Sequence, residues 1–400
     1  MDMPKLLFIH QDDRLFWTHR RPLARAAAEA GWEVHLAGPD TGWASRLEAP
    51  GMVVHHLPLE RTISPLRMHR GRRALRRFLA EFRPDIAQAI NLRTILYAGP
   101  ELVRAQVPCA HMVAGLGMIW KWGGFWVRHK LKRLFLAGAQ AGQAGTPKVR
   151  VQFQNPSDQE AFLRAEILQK EQCSLLAGAG VDLEEFFPQP FPKGELAILF
   201  AGRLLQSKGV ARLVQASQEL RKEGLPHKLY LAGERDSANP DSISARRLAA
   251  WQAAGHIELL GFRADMPEVL ANVHALCLPT TYPEGVPKIL LEAAACGRPA
   301  ITTEQAGCSH AVLHGETGLL IPSHDPTALK AALRRILNDQ VFRRRAGKAA
   351  RKHAEQNFDA TKVATTALKD FEKIYPILAK DSQSKYNSKH SQAGNAHESN

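Results

Sequence analysis

Short apolar runs alternate with helical patterns along this chain, and the alternation occurs twice, before and after one proline-rich segment. Most runs are apolar at consecutive positions rather than at every second position, so both faces of each strand are expected to be buried. Such strands belong to parallel sheets that carry helices on both faces. The pattern predicts an α/β fold of two doubly wound, Rossmann-like domains facing each other across a cleft, with ligands at the carboxyl ends of the strands.

In the first half, strands are predicted at Lys5–His10, Val34–Gly38, Val53–Pro58, Asp85–Ile90, Pro108–Gly115 and Val149–Asn155, and helices at Arg21–Ala30, Leu66–Phe82 and Thr94–Gln106. The helix Arg21–Ala30 is expected to begin there because Pro22 suits a first turn. In the second half, strands are predicted at Leu196–Gly202, Lys228–Gly233, Ile257–Gly261, Leu276–Thr280, Ala300–Thr303 and Leu319–Pro322, and helices at Val210–Glu223, Arg246–Ala254, Pro267–Val273, Pro287–Cys296, Pro326–Asn338, Val341–Gln356 and Ala360–Leu378.

The boundary between the halves is expected in Phe186–Lys193, which is the best linker in the chain. Four hundred residues are too many for one ordinary core. The predicted domains are residues 1–190 and 191–378, with the last helix as a candidate for packing back onto the first domain. Residues 379–400 contain no Leu, Ile or Val and are expected to be disordered.

The composition excludes several classes of protein. A chain that is 45% hydrophobic and 23% charged is neither fibrous nor wholly disordered. Its five cysteines form no CxxC pair, so we expect no disulfide framework and no zinc site, and a reducing compartment is favoured. The sequence shows no export signal and lacks the run of about 20 apolar residues that a transmembrane helix needs. A cytoplasmic protein, soluble or peripheral to a membrane, is expected.

Positive charge is concentrated in two windows of the first half. The net charge is +14, which favours a polyanionic partner or serves solubility alone. Arg61–Arg77 contains seven arginines, Trp120–Phe135 contains five Lys and Arg beside three tryptophans, and neither window has an acidic residue. Basic residues among Trp and Phe are typical of a membrane interface, and a solvated helix face is the alternative. In a nucleic-acid-binding protein the same aromatic residues would stack on bases.

The first candidate site is the segment Phe200–Gly209, where a strand ends at Gly202 and a helix follows. Arg203 and Lys208 lie on either side of the short loop between them. Two cations and exposed backbone N–H groups in a strand–loop–helix unit can hold a diphosphate. The alternative is an ordinary solvated turn, since the segment is not a Walker A loop.

The second candidate site is the segment Thr280–Gly297. Pro287 suits the first turn of a helix, which places Glu284 in the preceding loop and Glu292 within the helix. The positive amino-terminal end of this helix would point into the cleft, where a carboxylate can accept hydrogen bonds from sugar hydroxyls. The alternatives are that Glu284 caps the helix and that Glu292 is a surface residue.

Taken together, Arg203, Lys208 and the Glu-x7-Glu spacing of Glu284 and Glu292 resemble family 4 retaining glycosyltransferases of the GT-B fold. The resemblance covers the second half from Leu196 to Tyr375. It implies that Arg203 and Lys208 hold the donor diphosphate, that Glu284 touches the donor sugar and that Glu292 binds the nucleotide ribose. Arg203, Lys208 and Glu284 are then the candidate catalytic residues, and the other donor contacts are Gly202, Gly285, Val286 and Pro287.

The first half resembles transferases that extend polyprenyl-diphosphate-linked glycans, at Phe16–Leu23, Gly115–Gly117 and Gly178–Asp182. In such proteins the amino-terminal domain binds the acceptor. The resemblance makes His19 a candidate contact to sugar or phosphate, with a capping or core histidine as the alternative. Asn91 and Ala114 stand where many relatives carry a histidine or an acid, so the sequence identifies no catalytic base.

The function expected from the sequence is transfer of a sugar, such as an N-acetylhexosamine, from a UDP-linked donor to a lipid-linked glycan with retention of configuration. The expected partners are the nucleotide-sugar, a polyprenyl-diphosphate-linked acceptor and an anionic membrane contacted through Arg61–Arg77 and Trp120–Phe135. No metal is expected, because the usual Asp-x-Asp arrangement is absent and Asp12-Asp13 is interpreted as loop charge. A GT-B sugar epimerase, a transferase with a soluble acceptor and a catalytically inactive membrane scaffold are the alternatives; no nucleic acid is expected.

Overall fold

The computed structural model describes residues 3–47, 51–62, 64–140, 149–237 and 239–375. The strands of the first domain are β1 (Lys5–Ile9), β2 (Glu33–Gly38), β3 (Met52–His56), β4 (Ile86–Ala89), β5 (Cys109–Val113), β6 (Val149–Phe153) and β7 (Cys173–Leu175). Its helices are α1 (Asp13–Glu29), α2 (Ala44–Leu47), α3 (Pro65–Phe82), α4 (Leu92–Arg104), α5 (Gly117–Gln140) and α6 (Pro156–Arg164), and a short 3-10 helix covers Lys170–Gln172.

The seven strands form one parallel sheet in the order β3-β2-β1-β4-β5-β6-β7. Leu7 and Ile9 of β1 face a cluster that includes Leu75 of α3, whereas Leu6 and Phe8 face α1. Both faces of the strand are therefore buried, as its continuous apolar run predicts. Strand order reverses at β1 and β4, which places a crevice at their carboxyl ends.

The second domain repeats this architecture with a six-stranded parallel sheet in the order β10-β9-β8-β11-β12-β13. Its strands are β8 (Ala197–Ala201), β9 (Lys228–Ala232), β10 (Glu258–Gly261), β11 (Ala275–Leu278), β12 (Ala300–Thr303) and β13 (Gly318–Ile321). Its helices are α7 (Val210–Lys222), α8 (Ala245–Ala253), α9 (Met266–Ala271), α10 (Lys288–Ala295), α11 (Ala306–Ala311), α12 (Pro326–Asn338) and α13 (Gln340–Asn357).

The chain passes between the domains twice, and the two passages lie side by side. Val181 donates a backbone hydrogen bond to Phe358 (2.7 Å) and accepts one from Ala360 (3.0 Å). The final helix α14 (Ala360–Ile374) then packs on the first domain, where Phe371 contacts Phe8 and Trp32. The first domain is thus completed by a helix that follows the second domain in the sequence.

Helix α1 begins eight residues before the predicted start at Arg21, and Pro22 lies inside it. Asp12 caps the helix by accepting from the backbone N–H of Leu15. Asp13 is buried and accepts from the backbone of Thr41 and Trp43, so its interpretation as loop charge is wrong. Capping and burial at the amino end thus override the proline signal.

Besides helices α2 and α11, which were not predicted, the other differences from the prediction lie in the later part of the first domain. Helices α5 and α6 and strand β7 were not predicted, and α5 changes direction at Gly124, whose φ is 42° and ψ −127°. The predicted disordered tail, 379–400, lies outside the described residues. None of the helices described is both long enough and apolar enough to span a membrane.

Candidate donor-binding site

The loop between β8 and α7 is held against the segment that follows β11. Thr281 donates its backbone N–H to the Ser207 carbonyl (2.7 Å), and Gly209 lies so close that a Cβ there would be 2.2 Å from the Pro279 oxygen. With a φ of 83°, Gly209 also adopts a conformation that favours glycine. The two segments predicted as candidate sites therefore form one edge of the second sheet.

Lys208 and Glu284 form an ion pair at this edge, with side chains only 12% and 16% exposed. Thr280 donates a further hydrogen bond to Glu284 Oε1 at 3.4 Å. Glu284 is therefore held by the neighbouring loop and does not cap the helix that follows. A cation that can bind phosphate and a carboxylate that can accept from sugar hydroxyls are thus in direct contact with each other.

Arg203 lies on the same loop and pairs with Asp236, whose Oδ2 is 3.1 Å from Arg203 Nη1. Gly202 precedes Arg203 with a φ of 148°. Asp236 follows β9, the strand next to β8, and the sequence reasoning missed it. Asp236 could be connected with Arg203 only once the strand order was known, because the carboxyl ends of neighbouring parallel strands meet at one edge of the sheet.

Glu292 is buried inside α10 and pairs with Lys288 at 2.7 Å. The alternative that Glu292 is a surface residue is therefore wrong. Pro287 is the residue before the helix rather than its first residue, with Lys288 beginning α10.

Gly285 brings the two domains into direct backbone contact. A Cβ at Gly285 would lie 2.3 Å from Gln154 Oε1 and 3.0 Å from the carbonyl carbon of Ala114, both in the first domain. Val286 donates its backbone N–H to Gln154 Oε1 at 3.3 Å, and its own side chain is buried. Gln154, which was not predicted, thus accepts from the backbone N–H of Val286, a residue that was predicted as a donor contact.

On the first-domain side of the cleft, His19 lies on α1 and is half-buried. Burial, together with the charges of Lys288, Arg20 and Lys208, lowers the pKa of His19 to about 3. Asn91 caps α4 by accepting from the Thr94 N–H at 3.1 Å. Of these two residues, His19 is the one whose pKa is affected by a charge of the β8–α7 loop, that of Lys208.

Arg61 of the first domain and Tyr282 of the second domain both lie close enough to Arg93 for their charges to act on it. Burial lowers the pKa of Arg93, and the neighbouring charge of Arg61 lowers it further. Tyr282 of the second domain has the opposite effect and raises this pKa. Arg93 lies in the first turn of α4 and Arg61 in the connection before α3. Two cationic side chains of the first domain therefore lie in the neighbourhood of a second-domain residue.

The basic helices α3 and α5 lie on one face of the first sheet, on either side of α4. Phe125 and Trp126, directly after the break in α5, are 69% and 71% exposed. Trp120, predicted to reach a membrane, is half-buried and stacks on Phe162 at 5.1 Å, because the first part of α5 contributes to the core. The side chains of Lys121 and Trp122 lie outside those that the structure describes.

Some charges of the two windows are engaged in contacts within the domain. Arg76 pairs with buried Glu101, and Arg72 donates to the carbonyls of Tyr97 and Leu96. Lys132 pairs with Glu166. The residues of the two windows with exposed cationic side chains include Arg67, Arg70, Arg73, Arg77, Arg128, Lys130 and Arg133. Within the described chain, no three His, Cys, Asp or Glu side chains are grouped as a metal site requires.

Two facing Rossmann-like domains, with cations and carboxylates gathered at the carboxyl edge of the second sheet, define the GT-B class of glycosyltransferases. A family model described as "Glycosyl transferases group 1" matches residues 181–353, and one described as "Glycosyl transferase 4-like domain" matches residues 17–154. Together they cover more than three quarters of the chain. The chain belongs to the group 1 glycosyltransferase family, with a glycosyltransferase 4-like amino-terminal domain, as the sequence resemblance predicts.

Individual relatives differ in how much of their length is matched. A glycogen synthase of Mycobacterium tuberculosis is 35% identical over 179 residues, which is 43% of this chain and 41% of that protein. The chain therefore spans less than half the length of this relative. The N,N'-diacetylbacillosaminyl-diphospho-undecaprenol alpha-1,3-N-acetylgalactosaminyltransferase of Campylobacter jejuni is 25% identical over 373 residues, 89% of this chain and 95% of that protein.

Among solved structures, HepE of Anabaena, crystallised in complex with UDP and glucose, has the same fold. The TM-score is 0.76 at 17% sequence identity, and the match covers 92% of this chain and 99% of that chain. The predicted GT-B architecture is confirmed over both domains.

Proposed function

We propose that this protein transfers a sugar, such as an N-acetylhexosamine, from a UDP-linked donor to a polyprenyl-diphosphate-linked glycan, at the cytoplasmic face of a membrane and with retention of configuration. The observation that carries the proposal is the Lys208–Glu284 pair beside Arg203, at the sheet edge that faces the first domain. The two cations can bind the diphosphate of a nucleotide-sugar, and the carboxylate can accept hydrogen bonds from its sugar hydroxyls. The Anabaena relative, which shares the fold, was crystallised with UDP.

In the proposed reaction the bond between the anomeric carbon and the diphosphate oxygen breaks, and its electron pair leaves with UDP. The acceptor hydroxyl oxygen bonds to the same face of that carbon, and its proton passes to the leaving phosphate oxygen. Arg203 and Lys208 stabilise the charge that grows on the phosphate, an effect worth roughly 3 kcal/mol for a well-placed donor. The two cations and the amino-terminal end of α10 neutralise the leaving group, so the reaction is expected to need no Mg²⁺.

The proposed acceptor is supported by the rim of the cleft. Arg61 and Arg93 of the first domain face Tyr282 of the second and present positive charge to a lipid-linked diphosphate. The Campylobacter jejuni relative is named for an acceptor linked to undecaprenol by a diphosphate. A transferase with a soluble acceptor is the alternative, and it would not use the exposed apolar pair on α5.

Membrane contact through α3 and α5 completes the proposal. The amino-terminal ends of both helices lie at the cleft edge of the sheet, because each follows the carboxyl end of a parallel strand. Exposed Phe125 and Trp126 sit beside Arg128 and Lys130, a combination suited to headgroup depth. A lipid-carried acceptor would then reach the cleft while its tail remains in the bilayer.

The deciding experiment is a donor screen with UDP-, GDP- and ADP-sugars, in which nucleotide release is measured with and without a lipid-linked acceptor. We expect release with a UDP-sugar, dependence on acceptor and the same rate in EDTA. Free sugar without acceptor product would favour a hydrolase or an epimerase. Activity lost in EDTA and restored by Mg²⁺ or Mn²⁺ would contradict the metal-independent reaction.

A further inference from the structure

The connection between β9 and α8 is bound along the β8–α7 loop by backbone hydrogen bonds. Leu204 donates its N–H to the carbonyl of Glu234 (3.0 Å) and accepts from the N–H of Ile243 (2.9 Å). Gln206 donates its N–H to the carbonyl of Asp241 at 2.8 Å. The two segments are therefore held side by side at the carboxyl edge of the second sheet.

These contacts use backbone N–H groups that were expected to help hold a diphosphate. Besides the two donors of the loop just named, Leu205 donates to the carbonyl of Arg203 at 2.8 Å. Ser207 donates its N–H to Asp241 Oδ2 at 3.1 Å, and the same carboxylate accepts from the Ser207 hydroxyl. A diphosphate at this loop therefore depends mainly on the charged side chains.

Both cations of the loop are engaged by carboxylates. Lys208 pairs with Glu284, and Arg203 pairs with Asp236 at 3.1 Å. The side chains of Arg203 and Asp236 are 33% and 30% exposed, so the guanidinium is within reach of a phosphate from the cleft. A phosphate that binds there meets a carboxylate already bonded to the same cation.

The backbone of Asp236 is fixed within the β9–α8 connection. Its N–H donates to the Ser242 hydroxyl at 3.2 Å, and its carbonyl accepts from the N–H of Asn239 at 2.9 Å. Two residues earlier, Glu234 pairs with Arg14 of the first domain at 2.7 Å. Because the connection is held at these points, the Asp236 carboxylate stays beside the loop when an anion approaches.

We propose that Asp236 is an affinity-determining residue, which competes with the diphosphate for Arg203 and thereby weakens the binding of the nucleotide. The inference rests on the proposed function, since it takes the anion at Arg203 to be the diphosphate of the donor. In that function Glu284 has a second use, as a partner for the donor sugar, whereas Asp236 has none. A weaker hold on the diphosphate favours release of UDP after transfer, a step that limits turnover in many enzymes.

The test measures the Kd of UDP by calorimetry at low and at high salt. Asp236→Asn keeps the size of the side chain and removes its charge, so we expect the Kd to fall about two- to fivefold at low salt. The gain should shrink at high salt, because a partly exposed ion pair is screened. Glu195→Gln is the matched control, since this exposed carboxylate precedes β8 at the opposite edge of the sheet, and it should leave the Kd unchanged.

A double-mutant cycle shows whether the effect passes through the guanidinium. In the Arg203→Ala background, Asp236→Asn frees no cation, and its gain should fall to the level of the control. An equal gain in both backgrounds would overturn the inference, because Asp236 would then act only as a general negative charge. Asp236→Ala should tighten binding as Asp236→Asn does, which separates the loss of charge from an effect of the asparagine itself.

The opposite sign would also overturn the inference. If Asp236→Asn and Asp236→Ala weaken UDP binding in folded protein, the carboxylate holds Arg203 in place for the phosphate instead of competing with it. If Arg203→Ala weakens UDP binding and neither Asp236 variant changes it, the inference is wrong and the proposed function stands. If the wild type binds no UDP at either salt concentration, the proposed function and the inference are both wrong.

Discussion

Arg203, Lys208 and Lys288 each pair with a carboxylate of the second domain. A diphosphate that binds here must replace Asp236 or Glu284 as the partner of a cation. The displaced Glu284 then becomes available to accept hydrogen bonds from the donor sugar. In the structure, each of these three cations therefore has a carboxylate partner.

We predict that Arg203→Ala and Lys208→Ala each lower turnover by at least about tenfold, because each removes a charge that stabilises the leaving diphosphate. The fold should remain intact, since both side chains lie at the edge of the cleft and belong to none of the hydrophobic clusters. Lys348→Ala, at an exposed position on α13, is the matched control. Turnover at the wild-type rate in both variants would contradict the diphosphate assignment.

His10 gives a prediction on stability. Burial lowers the pKa of His10 to about 4, and neither ring nitrogen has a hydrogen-bond partner among the described residues. Between about pH 6.5 and pH 4 the unfolded chain binds a proton at this residue that the folded chain does not bind. Stability is therefore complete above the unfolded pKa and is lost as the pH falls through this window.

Replacing His10 should remove this part of the acid sensitivity. We expect His10→Leu to reduce the loss of unfolding free energy between pH 7 and pH 4 by up to about 3 kcal/mol relative to the wild type. Urea unfolding at several pH values measures the difference, and the exposed His69→Ala is the control. Parallel pH profiles for the wild type and His10→Leu would show that His10 titrates normally.

The roles proposed for Arg203, Lys208, Glu284 and Glu292 follow from the family resemblance. Their positions could be predicted from the sequence because their spacing follows strand ends and a helix start. Asp236 and Gln154 could not, since each reaches the site across a neighbouring strand or from the other domain. Their contribution depends on strand order and on the way in which the domains meet. Short-range sequence patterns carry no information on the strand order or on the contact between the domains.

At the scale of elements, α14 is anchored to the first sheet by one buried carboxylate. Asp370 Oδ1 lies 2.9 Å from Arg150 Nε, and Asp370 also accepts from Ser174 and from Gln152. Two neighbouring strands, β6 with Arg150 and Gln152 and β7 with Ser174, are thereby connected to a helix that lies about two hundred residues further along the chain. Removing Asp370 would leave the buried charge of Arg150 without an anionic partner.

We predict that Asp370→Ala lowers the free energy of unfolding by about 3–5 kcal/mol, as expected when one member of a buried ion pair is removed. Chemical denaturation measures the loss. Lys369→Ala, at the neighbouring exposed position of the same helix, should change the unfolding free energy by less than about 0.5 kcal/mol. An equally small effect of Asp370→Ala would show that Arg150 finds another acceptor.

The succession of strands other than β7 was predictable because buried parallel strands appear as continuous apolar runs, whereas β7 is only partly buried. The start of α1 was not, since it depends on Asp13 reaching the backbone of Thr41 and Trp43, twenty-eight and thirty residues away. Helix α5 was not predicted as a helix because its basic and aromatic residues mask the helical period and Gly124 interrupts it. Short-range patterns identify elements, whereas their ends and interruptions are decided by tertiary contacts.

At the scale of the whole molecule, we predict that the protein floats with anionic liposomes and less with neutral ones. Each cation near an anionic surface contributes about 1 kcal/mol, and the exposed aromatic pair adds a part that salt does not screen. Phe125→Ser with Trp126→Ser should weaken binding at high salt, and charge reversal at Arg128, Lys130, Lys132 and Arg133 should abolish it at low salt.

The control for flotation is charge reversal on α13, at exposed Arg344 and Lys348, which lie in the second domain. This variant should float as the wild type does, and circular dichroism should show all variants folded. A wild type that never floats, or α5 variants that float unchanged, would contradict docking through α5.

The double passage between the domains, where Val181 is bonded to Phe358 and Ala360, has a consequence for building hybrids. The first domain is assembled from two separate pieces of chain, one before residue 181 and one after residue 359. A donor domain exchanged between relatives should therefore be inserted between both of these points, so that each first domain keeps its own α14. A hybrid joined only at the proline-rich linker would cover Phe8 and Trp32 with a foreign helix, and we expect it to be the less soluble of the two designs.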